Sequence, residues 1–333
     1  MKSVHIAILG ATGAVGQAML EVLVERKFPF HKLTLLASQR SAGKQIEAGG
    51  QTYTIEEATP QSFKGVDIVL CAAENDIAKQ LIPYAVKAGA TVIDNSSAYR
   101  LDSTVPLIIP EVNKEMLKHH QGIIANPNCA TIIALVALAP LHRFAHIQRL
   151  IVSTYQAVSG AGVGGMKELQ EQVHNLEAKE PINPNHFAYQ IAYNLIPQIG
   201  DFDEAGYSSE EMKMLNEGRK ILNEPNLMVN CTCVRVPVMR SHAESITVEF
   251  ENEISATQAK ELLSKADGVK LVDDLPNKHY PMPLDTENQD LIYVGRIRDD
   301  ISTDRPSLSF WCCGDQIRKG AATNAVQIAE ALL

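Results

Sequence analysis

The segment that most restricts the fold is Val4-His5-Ile6-Ala7-Ile8-Leu9 followed by Gly10-Ala11-Thr12-Gly13-Ala14-Val15-Gly16. A short β-type run, a glycine turn and an apolar helical pattern (Val15, Met19, Val22, Leu23) form the strand–turn–helix start of a dinucleotide-binding unit. Glycines at 10, 13 and 16 let the backbone approach a pyrophosphate, and the helix N-terminus behind them favours anionic oxygens. The same spacing occurs in plain tight turns, so the flanking strand and helix carry the reading. Further strands are expected at 33–37, 66–71 and 90–94, alternating with helices such as 77–88, which implies a parallel sheet with right-handed crossovers. An NAD site usually ends its second strand with an acid on the ribose 2′-hydroxyl. Here Ala37-Ser38-Gln39-Arg40-Ser41-Ala42-Gly43-Lys44 has no acid and several donors. Ser38, Arg40 and Ser41 suit a 2′-phosphate, which favours NADP; a solvated loop is the plain alternative.

From about residue 150 the pattern changes. Residues 245–251 alternate, with Ile246, Val248 and Phe250 on one face. Helical patterns fall at 210–222 and 257–266, around a polar, Asn- and Pro-rich insertion near 180–186. Residues 320–333 read as an amphipathic helix returning to the first domain. The fold class is therefore α/β: a Rossmann-type NADP-binding domain over 1–128 and 315–333, and an α+β domain over 129–314. A length of 333 residues fits about two domains. With 45% apolar and 21% charged residues the chain is globular, not disordered or collagenous. A net charge of −9 argues against a general nucleic-acid or membrane-surface binder, but not against an anionic substrate in a locally basic pocket. The apolar run 129–141 is shorter than the roughly 20 residues a spanning helix needs, so it reads as a core helix. Residues 1–16 read as a first strand and turn, not a signal peptide. No Cys pair has metal-site spacing, so six reduced thiols in the cytoplasm and no metal are expected.

One cysteine stands apart. In Asn126-Pro127-Asn128-Cys129-Ala130-Thr131, Asn128 is placed to cap the core helix and Cys129 lies in its first turn. The helix dipole there stabilises a thiolate, which is a nucleophile toward activated acyl groups. Cys71, Cys231, Cys233, Cys312 and Cys313 read as structural, with 231 and 233 on one strand face and 312 and 313 on opposite faces. A nucleophilic cysteine beside a nicotinamide implies aldehyde–acyl oxidoreduction, which several dehydrogenase families satisfy.

The combined motifs narrow the choice. Along almost its whole length the chain resembles the aspartate-β-semialdehyde dehydrogenases, through GATGAVG at 10–16, ASQRSAGK at 37–44, DNSSAYR at 94–100, PEVN at 110–113 and NPNCAT at 126–131. TYQAVSGAG at 154–162, EEMK at 210–213, RVPVMRSH at 235–242 and RKGAATNAVQIAE at 318–330 continue the match. The resemblance implies reversible NADP-dependent interconversion of 4-aspartyl phosphate and L-aspartate 4-semialdehyde plus phosphate. It places the enzyme in lysine, methionine, threonine and diaminopimelate biosynthesis, as a homodimer or dimer of dimers, with 129–314 as catalytic and dimerisation domain. It makes Cys129 the acyl-thioester nucleophile, His242 the general acid/base and Gln156 the residue that orients the substrate carbonyl. Arg235 matches the carboxylate binder, Glu211 the ammonium binder, Arg100 and Lys213 the phosphate pair, and Asn128 a further substrate contact. Gly10, Thr12, Gly13, Ala14, Val15, Ser38, Arg40, Ser41, Ser159, Gly160 and Asn324 fall on cofactor positions. Backbone N–H groups at the start of the Cys129 helix are expected to stabilise the oxyanion.

Bland alternatives exist for each. Arg100 can be a loop cation, Glu211 and Lys213 a solvated helix face, His242 a hydrogen-bonded core histidine, and glycines 160, 162, 164 and 165 a flexible loop. Glu210 is adjacent to Glu211 and competes with it. Seven residues separate Arg235 from His242, so both reach one pocket only if the strand breaks after Pro237. Glu74 and Asn75 depart from the smaller residues the family often has there. The rival readings are an N-acetyl-γ-glutamyl-phosphate reductase, which would lack an ammonium-binding acid, and a non-catalytic binding subunit.

Overall fold

The computed structural model describes residues 3–333. It divides into two units: one runs to Asn128 and takes in Gly320–Leu333, the other is Cys129–Lys319. Among the described residues no helix is long and apolar enough to cross a membrane.

The first unit contains β1 (Val4–Leu9), α1 (Ala14–Glu25), β2 (Phe30–Ala37), β3 (Gln45–Ala48), β4 (Gln51–Glu57), β5 (Ile68–Cys71), α2 (Asn75–Lys87), β6 (Thr91–Asp94), α3 (Pro110–Asn113) and β7 (Ile123–Ala125). The sheet order is β3-β4-β2-β1-β5-β6-β7, parallel except for the β3–β4 hairpin. All six residues of β1 are buried, as expected for a parallel strand covered on both faces. The chain winds outward in both directions from β1, so the carboxyl ends of β1 and β5 flank the switch point where such sheets bind ligands.

The second unit contains α4 (Cys129–Ala145), β8 (Ile147–Gln156), α5 (Gly162–Ala178), α6 (Ser209–Leu222), β9 (Met228–Arg235), β10 (His242–Phe250), α7 (Ala256–Leu263), β11 (Val269–Leu271), α8 (Pro283–Thr286), β12 (Ile292–Asp299) and β13 (Ser307–Gly314). Its sheet order is β11-β12-β13-β10-β8-β9. Every residue of α4 from Ala130 to Ala139 is buried. Each large aliphatic side chain so buried contributes about 1.5–3 kcal/mol, which fixes the helix carrying Cys129 at its first position. β8 runs parallel to β9 and antiparallel to β10, which is antiparallel to β13. The ends of β8 and β9 and the start of β10 therefore meet at one edge, with Gln156 beside Arg235 and His242 beside Gly314.

The chain returns to the first unit as α9 (Thr323–Ala331), which packs on α1 and pairs Glu330 with Arg26 at 2.7 Å. This return begins at Gly320, not at the expected 315. Residues 315–319 stay with the second unit because Asp315 accepts from the Asn288 and Ile317 amides and Gln316 binds the Ser241 amide. The glycines after Gln156 form no loose loop; α5 starts at Gly162.

Candidate active site

The converging strand ends of the second unit hold a buried polar cluster. The expected strand break is present: β9 ends at Arg235, Ser241 takes a left-handed φ of 71°, and β10 starts afresh at His242. Both side chains then grip one peptide unit's neighbours. Arg235 Nη1 donates to the Ala157 carbonyl at 2.7 Å, and the Ala157 N–H donates to His242 Nδ1 at 3.1 Å. A Cβ on Gly160 would come within 2.8 Å of Arg235 Nη1 and 3.2 Å of His242 Nε2, so a larger residue there would push on both groups. Burial, with the Arg235 charge second, pushes the His242 pKa down to about 3 against the opposing pull of Glu210. Burial also lowers the Arg235 pKa, while the charges of Glu210 and Cys129 raise it, so Cys129 lies within the field of that guanidinium. Gln156 has its amide oriented on both sides: Oε1 accepts from Thr154 Oγ1 at 2.9 Å and Nε2 donates to Glu210 Oε1 at 3.1 Å.

The two adjacent glutamates separate cleanly. Glu211, the acid expected at the site, has both oxygens turned to backbone: Oε2 accepts from the Ser208 N–H at 2.6 Å and Oε1 from the Cys233 N–H at 2.9 Å. It closes a capping box at the start of α6 and satisfies an amide of the edge strand β9. Glu210 faces the cluster, with Lys213 on its other oxygen at 2.8 Å. The Ser208-x-x-Glu211 spacing was the available signal, since it reserves Glu211 for the cap. Glu210 and Lys213, three residues apart, share a helix face.

In the first unit the glycine turn packs closely against neighbouring backbone. Gly10 has φ +88°, and a Cβ there would lie 2.7 Å from the Ala72 carbonyl oxygen; at Gly16 a Cβ would meet the Gly10 oxygen at 2.2 Å. Gly13 is the N-cap of α1 and caps no amide with a side chain, and Ala14 and Val15 begin a helix with no acid in its first turn. Thr12 is held by Gln17 through its carbonyl. Ser38 and Arg40 are exposed and Ser41 half-buried just after β2. Glu74 is exposed at the N-cap of α2, and Asn75 is tied to Ser97. Arg100 is buried and donates to the Asn95 carbonyl at 2.8 Å. Asn324 donates to the Ile108 carbonyl and to Asn126 Oδ1, and Asn128 immediately precedes α4.

These two arrangements can be set beside known proteins. A model of the semialdehyde dehydrogenase NAD-binding domain matches residues 5–120, and one of the semialdehyde dehydrogenase dimerisation domain matches residues 138–319. An aspartate-semialdehyde dehydrogenase of Aquifex aeolicus is 50% identical over 333 residues, covering 99% of this chain and 98% of its own. The chain belongs to the aspartate-semialdehyde dehydrogenase family. A crystal structure of aspartate semialdehyde dehydrogenase II of Vibrio cholerae complexed with ASA superposes with a TM-score of 0.97 at 45% identity, over 100% of this chain and 98% of that one. The Candida albicans enzyme with NADP gives a TM-score of 0.75 at 27% identity, over 99% and 98% of the two chains. The match of an NAD-binding domain over residues 5–120 supports a nicotinamide cofactor for this chain, and the glycine turn between β1 and α1 lies within the matched segment.

Within this family frame, several residues of the cluster were not legible as site residues. Gln316 donates through Nε2 to Ser159 Oγ while its Oε1 accepts from the Ser241 amide, tying the Ser159–Gly160 turn to the break before β10. Thr154 fixes the Gln156 amide. Glu244 is fully buried beneath the cluster, on the same face of β10 as His242. The five other cysteines are buried. Cys231 and Cys233 share a strand face, their sulfurs 3.7 Å apart, and that contact together with burial pushes the Cys231 pKa up. Burial likewise raises Cys71, Cys312 and Cys313, which leaves half-buried Cys129 as the thiol suited to react.

Proposed function

We propose that the chain reduces 4-aspartyl phosphate to L-aspartate 4-semialdehyde with release of phosphate, reversibly, as a cytoplasmic homodimer. The observation that carries this reading is the pairing of opposite charges around Gln156: buried Arg235 on one side and Glu210 on the other. A fixed cation and a fixed anion suit a substrate bearing both a carboxylate and a free ammonium. An N-acetylated substrate has no ammonium to offer Glu210, which disfavours the N-acetyl-γ-glutamyl-phosphate rival. Turnover of aspartate semialdehyde with phosphate, and not of N-acetylglutamate semialdehyde, is the result expected from a dinucleotide-reduction assay; the reverse preference would overturn the reading.

The Cys129 thiolate, held by the α4 N-terminus and the Arg235 field, attacks the acyl carbon. Arg100 and Lys213 neutralise the departing phosphate, with Asn128 at the helix mouth. Arg235 grips the substrate carboxylate, Glu210 the ammonium, and Gln156 and His242 face the acyl oxygen. A reduced nicotinamide dinucleotide, when bound, would supply the hydride for this reduction. Gly10, Thr12, Gly13, Ala14 and Val15 hold its pyrophosphate, Ser38, Arg40 and Ser41 its 2′-phosphate, and the family pattern adds Ser159, Gly160 and Asn324. The exposed outer residues of β8 and β9, Ile151, Tyr155 and Met228, support a dimer through the outer face of the six-stranded sheet.

Two substitutions check these assignments. Glu210→Gln is expected to raise the KM for aspartate semialdehyde about 10- to 100-fold, the equivalent of losing one charged hydrogen bond of about 1.5–3 kcal/mol. Glu211→Gln instead lowers stability with little change in KM; an equal effect on KM would return the role to Glu211. Arg40→Ala is expected to cut the preference for NADPH over NADH at least tenfold, as loss of a charge-assisted contact to the 2′-phosphate requires. An unchanged preference would remove Arg40 from that role.

A further inference from the structure

We propose that His142, His146 and Glu224 form a structural site for a zinc-like divalent transition metal, at the far ends of the elements that carry the active centre. Three elements begin at the polar cluster: α4 with Cys129, α6 with Glu210 in its first turn, and β10 with His242. The same three also end together. His142 is in the last turn of α4 and His146 follows it, Glu224 lies two residues past α6, and Glu251 comes directly after β10. At about 1.5 Å per residue, the 17 residues of α4 put this second cluster about 25 Å from Cys129. The expectation of no metal rested on cysteine spacing, in which these residues have no part.

The ligand atoms already stand close to a metal's geometry. His142 Nε2 and His146 Nδ1 lie 3.6 and 3.7 Å from Glu224 Oε1, and all three atoms are within 4.8 Å of one another. Bonds of about 2.0–2.2 Å in a tetrahedron put ligand atoms about 3.4 Å apart, so small side-chain shifts close the site. Two histidines and one glutamate are a ligand set that zinc accepts, with a water in the fourth position. Nitrogen donors favour a transition metal over magnesium or calcium. The second nitrogen of His146 faces Glu251 Oε2 at 3.7 Å, the usual arrangement of a carboxylate behind a metal-bound imidazole. Burial first, then the neighbouring His146, lowers the His142 pKa, and a metal needs the neutral ring. A cavity of about 350 Å³ beside His146 and Glu224, also lined by Gln148 and Asn226, has room for the water.

Local backbone brings the rings together. His146 takes a left-handed φ of 56°, its N–H donates to the His142 carbonyl at 2.9 Å, and the two ring centroids are 5.1 Å apart. One contact must give way. The Ile147 N–H donates to His142 Nδ1 at 3.1 Å, so without a cation the ring proton sits on Nε2, toward Glu224. The cation takes the Nε2 lone pair, the ring's single proton passes to Nδ1 through solvent, and the Ile147 amide gives up its bond. That amide therefore reports whether His142 is a ligand. A metal so held joins the end of α4 to the turn after α6, with Glu251 supporting it from the turn after β10.

The test uses the full chain as Cys129→Ala, which removes the half-buried thiol that would itself bind a soft metal. Cobalt(II) titrated into this protein is expected to bind at a single equivalent, with the strong visible absorption of a tetrahedral ion and no sulfur-to-metal band, and zinc should displace it. His146→Ala and Glu224→Gln, each added to Cys129→Ala, should abolish that spectrum. Glu251→Gln, which leaves all three ligands in place, should weaken cobalt binding about 10- to 100-fold. Hydrogen exchange at the Ile147 amide should speed up when zinc is bound. Cobalt that stays octahedral, or a spectrum that survives His146→Ala or Glu224→Gln, would mean an adventitious ion only and would overturn the proposal. Unchanged Ile147 exchange in the zinc-loaded protein would overturn it too, by removing His142 from the ligands. None of these readouts uses turnover, so they stand apart from any failure of the aspartyl phosphate assignment.

Discussion

Cys129→Ala is expected to lose about 10⁴-fold or more in kcat for reduction of the acyl phosphate, which corresponds to about 5.5 kcal/mol of transition-state stabilisation. The size follows from covalency: without the sulfur no thioester forms, and the anchored charges alone cannot substitute for it. Stability should scarcely change, because Cys129 is only half-buried and heads a helix whose anchoring residues begin at Ala130. Alkylation by iodoacetamide offers a companion measurement. The reactive thiol should titrate below the free value of about 8.5, since the α4 N-terminus and Arg235 both favour the anion. Arg235→Met should move that titration upward. Substantial turnover in Cys129→Ala would end the covalent route, whatever the alkylation profile.

What could be read in the chain followed the range of the interactions. The strand, glycine turn and helix from Val4 to Glu25 are set by neighbours within a few residues, and they stand where the pattern placed them. The core helix was legible for the same reason, although it runs on to Ala145 past an internal proline. Glu211 was the acid expected at the site, with Glu210 as its competitor, and the structure turns Glu211 to backbone instead. The signal was local: a serine three residues before Glu211 claims it as a cap, while Glu210 bonds the Gln156 amide. Arg235 and His242 mark the limit of periodicity. Counting residues along one regular strand puts them on opposite faces and so asks for a break after Pro237, but it could not show that the chain ends β9 and returns two strands away as β10. Gln316 could not be found at all from pattern, because its partner Ser159 is 157 positions away and neither residue is unusual in its own segment. Glu244 lies between these cases. Ile246, Val248 and Phe250 define the buried face of that strand, and the same parity puts Glu244 on it.

That parity leads to the second large effect. Glu244→Gln is expected to stabilise the protein at neutral and alkaline pH, by an amount that grows with pH. Both carboxyl oxygens of Glu244 are buried without a hydrogen-bond partner among the described residues, and the side chain is fully inaccessible. The titratable groups around it are Glu210 from α6, Cys231 and Cys233 from β9, and Cys312 and Cys313 from β13. None is a cation that would favour its charge. Burial first, then Cys233 and Glu210, holds its pKa well above the ordinary 4.5, so the folded protein keeps this proton. The unfolded chain releases it above about pH 4.5. Folding at higher pH must therefore take up a proton from solution, and stability falls by about 1.4 kcal/mol for each pH unit between the unfolded and folded values. The cost accumulates until the folded value is reached, less whatever the extra amide proton of glutamine loses by being buried. Urea midpoints should show no advantage for the variant near pH 4.5 and a growing one as the pH rises above that value. A difference that does not change with pH would mean that Glu244 is ionised in the folded state. In that case a buried anion, not a neutral acid, would underlie the site that Arg235 and Glu210 build.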